Sequence, residues 1–273
     1  MKRIVIEAGQ AERRYWADIW YYRELFYFLS WRDVLVRYKQ TVIGLAWALV
    51  RPLLTMLVFT VIFGKFAKLP TDAGAPYSLM VLAALLPWQF FSAAISEAGN
   101  SLVSNAPMIS KVYFPRLVIP TSAVIVSLVD FLISFFILLG LMVWYRFVPD
   151  LRILLLPGFV LIAFAASLGV GLWISALNVR YRDFRYIIPF IVQMGLYISP
   201  VGFSSSIVPR HLRLIYSLNP MVGVIDGFRW AIIGGDFQMF WPGFWLSLVV
   251  ASILLTVGIC YFRRTEKTFA DVI

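Results

Sequence analysis

Charged residues are scarce in this 273-residue chain, where they make up 14% of the sequence. A soluble globular domain carries about 25% charged residues, so the scarcity excludes an ordinary soluble protein. Hydrophobic residues instead make up 61% of the chain and aromatic residues 17%, with a mean hydropathy of +0.84. This composition predicts an integral membrane protein with several spans and no room for a large second soluble domain.

Residues that carry chemistry are also scarce. The single cysteine, Cys260, excludes an intrachain disulfide, and the single histidine, His211, is more typical of a structural residue than of a catalytic one. The sequence contains no G-x-x-x-x-G-K-S/T phosphate loop and no H-E-x-x-H motif. We therefore expect no enzymatic activity in this chain and no bound cofactor or metal. The net charge of +10 comes from basic residues scattered between apolar blocks, which favours membrane topology over nucleic-acid binding.

Long apolar runs are abundant. About 20 mostly apolar residues span a bilayer as a helix, and six segments reach or approach that length. They are residues 47–66, 79–96, 117–145, 154–177, 187–203 and 244–262. With the N-terminus inside, the connections hold 16 Lys and Arg on the cytoplasmic side and seven on the other side. The positive-inside rule therefore predicts an all-α domain of six transmembrane helices over 47–262, with both termini, including the tail 263–273, in the cytoplasm.

The predicted cytoplasmic N-terminal segment, residues 1–46, contains an amphipathic stretch at 23–40. Its polar residues recur at spacings of three, four and seven, which aligns them in one stripe along a helix. These residues are Arg23, Ser30, Asp33, Arg37 and Gln40. Asp33 and Arg37 are spaced as an i,i+4 ion pair. The pattern predicts an interface helix that lies in the headgroup plane, and a plain membrane anchor is the alternative.

Two further cytoplasmic segments have features of docking elements. Segment 105–116 lies between two prolines and has room for a helix of two turns, which would expose four apolar side chains. These are Met108, Ile109, Val112 and Tyr113. A short apolar helix outside the membrane is typical of an element that fits a groove on a partner, and a loop packed on its own bundle is the alternative. Segment 178–186 is basic, which topology alone explains, although Arg182 and Asp183 also suit a docking role.

The outward segment, residues 204–243, has an apolar core at 222–233 that is too short to span the membrane. Two short helices, separated at Asn219-Pro220 and ended near Gly234, would dip into the outer leaflet as a re-entrant element. Non-helical backbone at that depth has to be buried in protein or to line a watery cavity. We therefore expect an outward gate here.

Several ionisable residues are candidates for substrate contact. Asp130 lies within the third span, where an acid is a functional candidate by default, and a structural hydrogen bond is an equal alternative. Arg210, Arg213 and Arg229 lie on the outward segment, and guanidinium groups bind phosphate through paired hydrogen bonds. For Arg229 the alternative is an ion pair with Asp226, three residues earlier.

Six motifs follow one another in order between residue 23 and the C-terminus. They are Arg32-Asp33…Arg37-Tyr38…Gly44-Leu45-Ala46-Trp47…Arg51-Pro52-Leu53, Leu86-Pro87-Trp88-Gln89-Phe90-Phe91, Asn105-Ala106-Pro107…Lys111-Val112-Tyr113-Phe114-Pro115-Arg116, Arg180-Tyr181-Arg182-Asp183, Ser199-Pro200-Val201 and Asn219-Pro220-Met221…Phe228-Arg229. Together they closely resemble the permease subunits of type-2 ABC exporters of polysaccharides and polyol phosphates. The resemblance leaves residues 1–22 without an assigned role.

The resemblance implies a multi-pass protein of the bacterial inner membrane, surrounded by membrane lipids, that forms a homodimer. This homodimer pairs with two copies of a separate ATP-binding subunit, which binds ATP and Mg²⁺. It further implies that 23–40 is the interface helix and 105–116 the coupling helix. The implied ATPase-coupling residues are Arg32, Asp33, Arg37, Tyr38, Met108, Ile109, Val112, Tyr113, Arg182 and Asp183. The implied cargo is a lipid-linked polysaccharide of the O-antigen type, with capsular polysaccharides and teichoic acids as alternatives.

Aromatic side chains on the first and fifth spans are candidates to line the substrate path, because flat rings pack against sugar faces. They are Phe59, Phe63, Tyr197 and Phe203, and we add Asp130 to the path. Lipid contact or core packing is the alternative for each ring. Two other functional classes stay open. A membrane enzyme acting on lipid-linked glycans would gather acids, a base or metal ligands at one interface, and a passive channel or scaffold would not need cytoplasmic docking elements.

Overall fold

The computed structural model describes residues 11–39, 44–71, 74–235 and 237–269. Within these residues the secondary structure is helical and contains no strand. The α-helices are α1 (Ala11–Tyr21), α2 (Arg23–Lys39), α3 (Gly44–Phe59), α4 (Tyr77–Ser104), α5 (Ala106–Ile109), α6 (Val118–Trp144), α7 (Leu156–Arg180), α8 (Phe184–Ile198), α9 (Arg213–Tyr216), α10 (Pro220–Ile233) and α11 (Trp241–Thr265). Gln40 of the predicted polar stripe and the outermost residues of both predicted cytoplasmic ends lie outside the described residues.

Five helices in the described part of the chain are long and apolar enough to cross a membrane. They are Ala46–Phe66, Tyr77–Ser104, Val118–Trp144, Leu151–Arg180 and Trp241–Thr268. They correspond to five of the six predicted segments, so the chain is a multi-pass, all-α membrane protein. The predicted segment 187–203 overlaps α8, which begins three residues earlier and has 15 residues, fewer than the roughly 20 that span a bilayer. The helix ends at Ile198, because Pro200 disfavours a helical conformation of Ser199 before it.

Helix α4 forms the centre of the bundle. It packs against α3, α6, α7, α8 and α10. Alanines at 83, 84, 94 and 98 are completely buried, and small side chains of this kind allow membrane helices to approach closely. The short helix α10 is buried along nearly its whole length between α4, α7 and α11. The outward segment is therefore part of the packed bundle.

Helices α7 and α11 cross at two glycines. A Cβ atom on Gly258 would lie 2.2 Å from the carbonyl oxygen of Gly169, and one on Gly169 would lie 2.5 Å from the backbone of Leu254. The two backbones are therefore in direct contact, with no space for a side chain. This contact holds the last span against the bundle.

Helix α2 corrects one prediction. The predicted Asp33–Arg37 pair is replaced, because Asp33 pairs with its neighbour Arg32 at 2.7 Å and Arg37 turns to the bundle. Arg32 donates to the Oδ1 atom of Asn105, just after α4, at 3.2 Å, whereas Arg37 contacts Glu97 on α4. These two contact points lie eight residues apart in the chain, or about 12 Å along the axis of α4. Helix α2 also packs against α6, so it lies against the side of the bundle.

Candidate functional site: inner mouth, cytoplasmic face and outward segment

A cluster of charged side chains joins α2, α4 and α6. The guanidinium group of Arg37 donates to the carboxylates of both Glu97 and Asp130. The hydroxyl of Tyr38 donates to the other oxygen of Asp130. Burial raises the pKa of Tyr38, and the Asp130 carboxylate raises it further, so the phenol keeps the proton that it donates. One guanidinium therefore ties three helices together, and we call these four residues the inner-mouth cluster.

The inner-mouth cluster lies level with the inner end of the first span. One turn beyond Asp130, the hydroxyl of Ser134 donates to the carbonyl of Ala48 at 3.1 Å, and the first span begins at Ala46. Asp130 is nevertheless twelve residues into α6, or about 18 Å from its first turn. Helix α6 therefore extends well past the start of the first span, and Asp130 lies near the level of that start.

A cavity of about 580 Å³ opens beside the inner-mouth cluster. Its wall includes an indole (Trp47) and a guanidinium (Arg51) from α3, a side-chain amide (Gln89) from α4, and serine hydroxyls from α4 and α6. The residues that add to the cluster are Trp47, Arg51, Gln89, Ser92, Ser96, Ser127 and Ser134. Arg51 is exposed and forms no ion pair within the described part of the chain. Carboxylates, a guanidinium, an amide and hydroxyls beside aromatic faces suit a hydrated ligand with many hydroxyl groups, which requires both hydrogen bonds and flat apolar contact.

The cavity only partly agrees with the predicted site. It includes Asp130 from the predicted path, together with Arg37 and Tyr38, which we had predicted as ATPase-coupling residues. Arg51 and Glu97 were not among the predicted site residues. Arg51 could have been predicted, because it belongs to a motif that carries the family resemblance. Glu97 could not, because no sequence pattern connects it with α2.

The aromatic residues of the predicted path occupy two places. Phe59 and Phe63 pair with a ring-centroid distance of 5.3 Å, and both lie against Gly202, just after α8. Tyr197 is exposed on α8, and the carbonyl of Phe203 accepts a hydrogen bond from Arg229. The structure thus brings Phe59 and Phe63 together near the outward end of α8, while Tyr197 lies on a separate surface.

The predicted cytoplasmic stub, segment 105–116, has a shorter helix than expected. Helix α5 has four residues and is followed by a turn at Ser110 and Lys111, in place of the predicted two-turn helix. Ile109 is 5% exposed and packs into a cluster with Phe114, Leu117 and Leu29 of α2, so the prediction that it is exposed is wrong.

The outer surface of the stub remains apolar. Val112 is 55% exposed and Tyr113 is 58% exposed, and Met108 is half-buried beside them. In the second cytoplasmic segment, Arg182 and Asp183 are both exposed at the start of α8 and form no ion pair with any described residue. These side chains therefore lie on the surface of the single chain.

The boundaries of α10 agree with the prediction. The side-chain oxygen of Asn219 accepts from the Met221 amide at 3.0 Å and caps the first turn, where Pro220 suits the first helical position. The helix ends at Gly234, which has a φ of 61°, a value that would strain any residue other than glycine. The predicted division into two short helices is therefore confirmed, with α9 as the first.

Arg229 is 0% exposed. Its guanidinium donates to the carbonyls of Phe203 at 2.8 Å, Val201 at 3.1 Å and Met80 at 3.4 Å. These bonds fix the chain after α8 onto α4 and α10. A guanidinium that is buried and bonded in this way does not reach an anion outside, so the prediction of anion contact at Arg229 is wrong.

The other two predicted anion contacts differ from each other. Arg213 is half-buried and donates to the carbonyls of Val208 at 2.9 Å and Ser206 at 2.7 Å, beside a cavity of about 350 Å³. Arg210 is exposed and forms no ion pair in the part of the chain that the structure describes. Arg210 therefore has more hydrogen-bonding capacity left for a ligand than Arg213.

A multi-pass helical bundle with an exposed apolar stub and a polar cavity between its helices is compatible with a membrane transport subunit. Residues 24–233 match the family described as ABC-2 type transporter, and the chain belongs to that family. It is similar to the O-antigen export system permease protein RfbA of Klebsiella pneumoniae, with 27% identity over 94% of this chain and 97% of that protein. The protein of the same name from Myxococcus xanthus is 28% identical over 94% of this chain and 98% of its own length. The polysialic acid transport protein KpsM of Escherichia coli is 24% identical over 86% and 91%.

Proposed function

We propose that this chain is the permease subunit of an ATP-driven exporter that moves a lipid-linked polysaccharide, of the O-antigen type, across the bacterial inner membrane. Its membership of the ABC-2 family carries this proposal, together with relatives named as O-antigen export permeases along nearly the whole chain. ATP and Mg²⁺ would bind to a separate subunit. The missing phosphate loop in the sequence is consistent with this division of labour.

The exposed surfaces of α3 and α8 support a homodimer with the conduit at its centre. The first span has 6% of its residues buried within one chain, whereas the second has 78%. Tyr197 on α8 and Trp47 on α3 are among the exposed large apolar side chains. Two copies related by a two-fold axis would cover these surfaces and enclose a path lined by α3 and α8.

In the proposed topology α8 is the fifth of six crossings. The 15 residues of α8 cover about 22 Å, and the chain from 199 to 219 covers the remaining thickness. This chain is held in the bundle by Arg229, and Asn219 donates to the hydroxyl of Ser199 at 2.9 Å. Non-helical backbone at this depth is tolerated because its carbonyls are satisfied by protein. Both termini would then lie in the cytoplasm, and residues 204–243 would form an outward gate in which Arg210 and Arg213 meet the phosphate of the carrier.

The inner-mouth cavity is the proposed place where the first sugars of the polymer enter. It lies at the inner end of α3, and its wall offers aromatic faces together with side chains that donate and accept hydrogen bonds. Arg51, which is exposed there, would face the head of the carrier lipid. Helix α2 forms part of this wall through Arg37 and Tyr38, so the proposed interface helix also serves the substrate path.

The docking of the ATP-binding subunit provides the test. Replacing Val112 and Tyr113 by aspartate places two charges on the apolar surface of the stub, and an unpaired charge is strongly disfavoured inside a contact. We expect the variant to fold and to lose both co-purification with the ATP-binding subunit and export of the polymer. The matched control replaces Ile207 and Leu214, which are each 50% exposed on the outward segment, by aspartate. Normal co-purification and export by the Val112 and Tyr113 variant would refute the docking assignment.

A further inference from the structure

A third cavity lies beside the C-terminal end of α11 and is separate from the inner-mouth cavity. It is a groove of about 1250 Å³ between α1, the chain from 109 to 116 and α11. The groove is lined by α1, the chain from 109 to 116, α11 and the turn after it, whereas the inner-mouth cavity is lined by α2, α3, α4, α6 and Val192 of α8. The two cavities share no lining residue, and no sequence pattern predicts the groove.

The cytoplasmic end of the groove is basic. Five cationic side chains line it, against the two acids Asp18 and Glu266. The cations are Lys111, Arg116, Arg263, Arg264 and Lys267. Lys111 and Arg264 are exposed and form no ion pair within the described part of the chain. The groove thus presents an excess of positive charge, part of which is available to an anionic ligand.

Part of this basic end is rigidly built. Arg116 donates to the backbone carbonyl of Glu266, and the hydroxyl of Tyr15 donates to the Glu266 carboxylate at 3.0 Å. The guanidinium of Arg263 stacks 4.6 Å from the centre of the Tyr15 ring, and its buried Nε atom has no hydrogen-bond partner in the structure. Helix α1, the stub and α11 are therefore joined around the groove. Lys111 and Arg264 are exposed at the edge of the groove, outside this bonded group.

The other end of the groove is apolar and belongs to the last span. Leu255 and Ile259 line it on α11, one to three turns before the basic residues. From Leu255 to Lys267 the helix rises about 18 Å. A ligand that fills this groove has an anionic head next to an apolar tail, in the same orientation as a lipid of the adjacent leaflet. A peptide segment of a partner is not expected to place an acidic group at the basic end and an apolar group at the other end in this direction.

We propose that this groove binds an anionic glycerophospholipid of the inner leaflet, with its phosphate at Lys111 and Arg264 and an acyl chain on Leu255 and Ile259. Basic pockets between helices on the cytoplasmic side of membrane proteins recognise anionic headgroups in this way. The bound lipid joins α11 to the stub. Val112 and Tyr113 of the stub also line the groove and are each more than half exposed, so the lipid and the proposed ATP-binding subunit would share this edge. The position of the stub then depends on the lipid composition of the membrane. The proposal rests on the proposed topology only in assigning the inner leaflet.

The test uses the purified full chain without the polymer, first alone and then, in a second arm, with the ATP-binding subunit added. Native mass spectrometry measures binding of phosphatidylglycerol, phosphatidylcholine and undecaprenyl phosphate to the wild type and to a K111Q/R264Q variant. We expect preference for phosphatidylglycerol and about a 30-fold weaker affinity in the variant, since each basic residue near the membrane surface contributes about fivefold. A K111R/R264K variant keeps both charges and should bind like the wild type. A K65Q/R146Q variant, which removes two exposed charges near the other ends of the spans, is the matched control.

Three outcomes would overturn the proposal. The first is equal affinity of the wild type and the K111Q/R264Q variant for phosphatidylglycerol. The second is tighter binding of undecaprenyl phosphate than of phosphatidylglycerol at the same residues, which would assign the groove to the carrier lipid. The third is complete displacement of the lipid by the ATP-binding subunit, which would assign the groove to the protein interface. Because neither transport nor ATP hydrolysis is measured, failure of this proposal leaves the proposed function untouched.

Discussion

Replacing Arg37 by glutamine removes the guanidinium that Glu97 and Asp130 share. The two carboxylates are then left close together without the cation, on helices that pack against each other. Glutamine keeps a hydrogen-bond donor of similar reach but carries no charge. We therefore expect destabilisation of the contact of α2 with α4 and α6, which are otherwise unchanged.

The exposure of the Arg37, Glu97 and Asp130 side chains determines how far R37Q should lower the free energy of unfolding. Breaking a buried ion pair costs about 3–5 kcal/mol, whereas a surface pair is worth about 0–1 kcal/mol. The side chain of Arg37 is 31% exposed, that of Asp130 is 25% exposed and that of Glu97 is 50% exposed. The site is intermediate, so R37Q should lower the free energy of unfolding by about 2 kcal/mol. Glu97→Gln should cost about 0.5 kcal/mol and Asp130→Asn about 1–2 kcal/mol, because Asp130 is more buried and also accepts from Tyr38.

A double-mutant cycle between Arg37 and Asp130 isolates their interaction. Unfolding of the purified protein by sodium dodecyl sulfate in mixed micelles can be followed by the fluorescence of its ten tryptophans. We expect a coupling energy of about 1–2 kcal/mol. Arg51→Gln is the matched control, since Arg51 lines the same cavity without an ion pair in the described residues, and surface changes of this kind stay within about 0.5 kcal/mol. Equal effects of R37Q and R51Q, or a coupling energy near zero, would refute the account of the cluster.

Three further predictions concern the bundle and its orientation. Gly258→Ala should reduce the yield and thermal stability of the folded protein, because its Cβ atom would overlap the backbone of α7. Gly140→Ala is the control and should leave both unchanged, because a Cβ atom there would meet nothing within 4 Å. Size-exclusion chromatography after heating measures the folded fraction of each variant. Arg229→Gln should lower the unfolding free energy by about 3 kcal/mol or more, since buried carbonyls lose their donors, while Arg210→Gln should change it by less than about 0.5 kcal/mol. A cysteine at Ser206, in a variant without Cys260, should react with an impermeant maleimide from the periplasmic side, and labelling from the cytoplasmic side alone would contradict the proposed topology.

Hydropathy and helix-stop residues explain what could be predicted from the sequence. Five spans were predictable because a membrane helix must be long and continuously apolar, which is a property of one segment by itself. The limits of α10 were predictable for a similar local reason. Asn219 caps the first turn through its own side chain, and Gly234 ends the helix because it tolerates a positive φ.

The partners of charged residues could not be predicted in the same way. Periodicity identifies which face of a helix is polar, but it does not identify what that face meets. Arg37 contacts residues 60 and 93 positions away, and Arg229 contacts a carbonyl 149 positions earlier. For Arg37 the local i,i+4 partner was the natural expectation, and distant partners took its place. Arg229 gains distant carbonyl partners because a buried charge must be satisfied by the bundle. The burial of Ile109 has the same cause, since it depends on Leu29 and Phe114 coming together.

The two ends of α2 suggest how the proposed docking surface and the proposed substrate path communicate. Arg32 holds Asn105, the residue that joins α4 to the stub, and Arg37 holds the inner-mouth cluster five residues later on the same helix. A rigid helix that is bonded at both points cannot follow a displacement of the stub without changing the distance between Arg37 and its carboxylates. Those carboxylates lie on α4 and α6, which form the packed centre, whereas α3 follows α2 directly and packs more loosely. Movement of the stub would therefore shift α2 and the inner end of α3 against a fixed α4, which widens or narrows the cavity at the mouth. Helix α2 would in this sense link ATP hydrolysis on the proposed partner to the opening through which the polymer would enter.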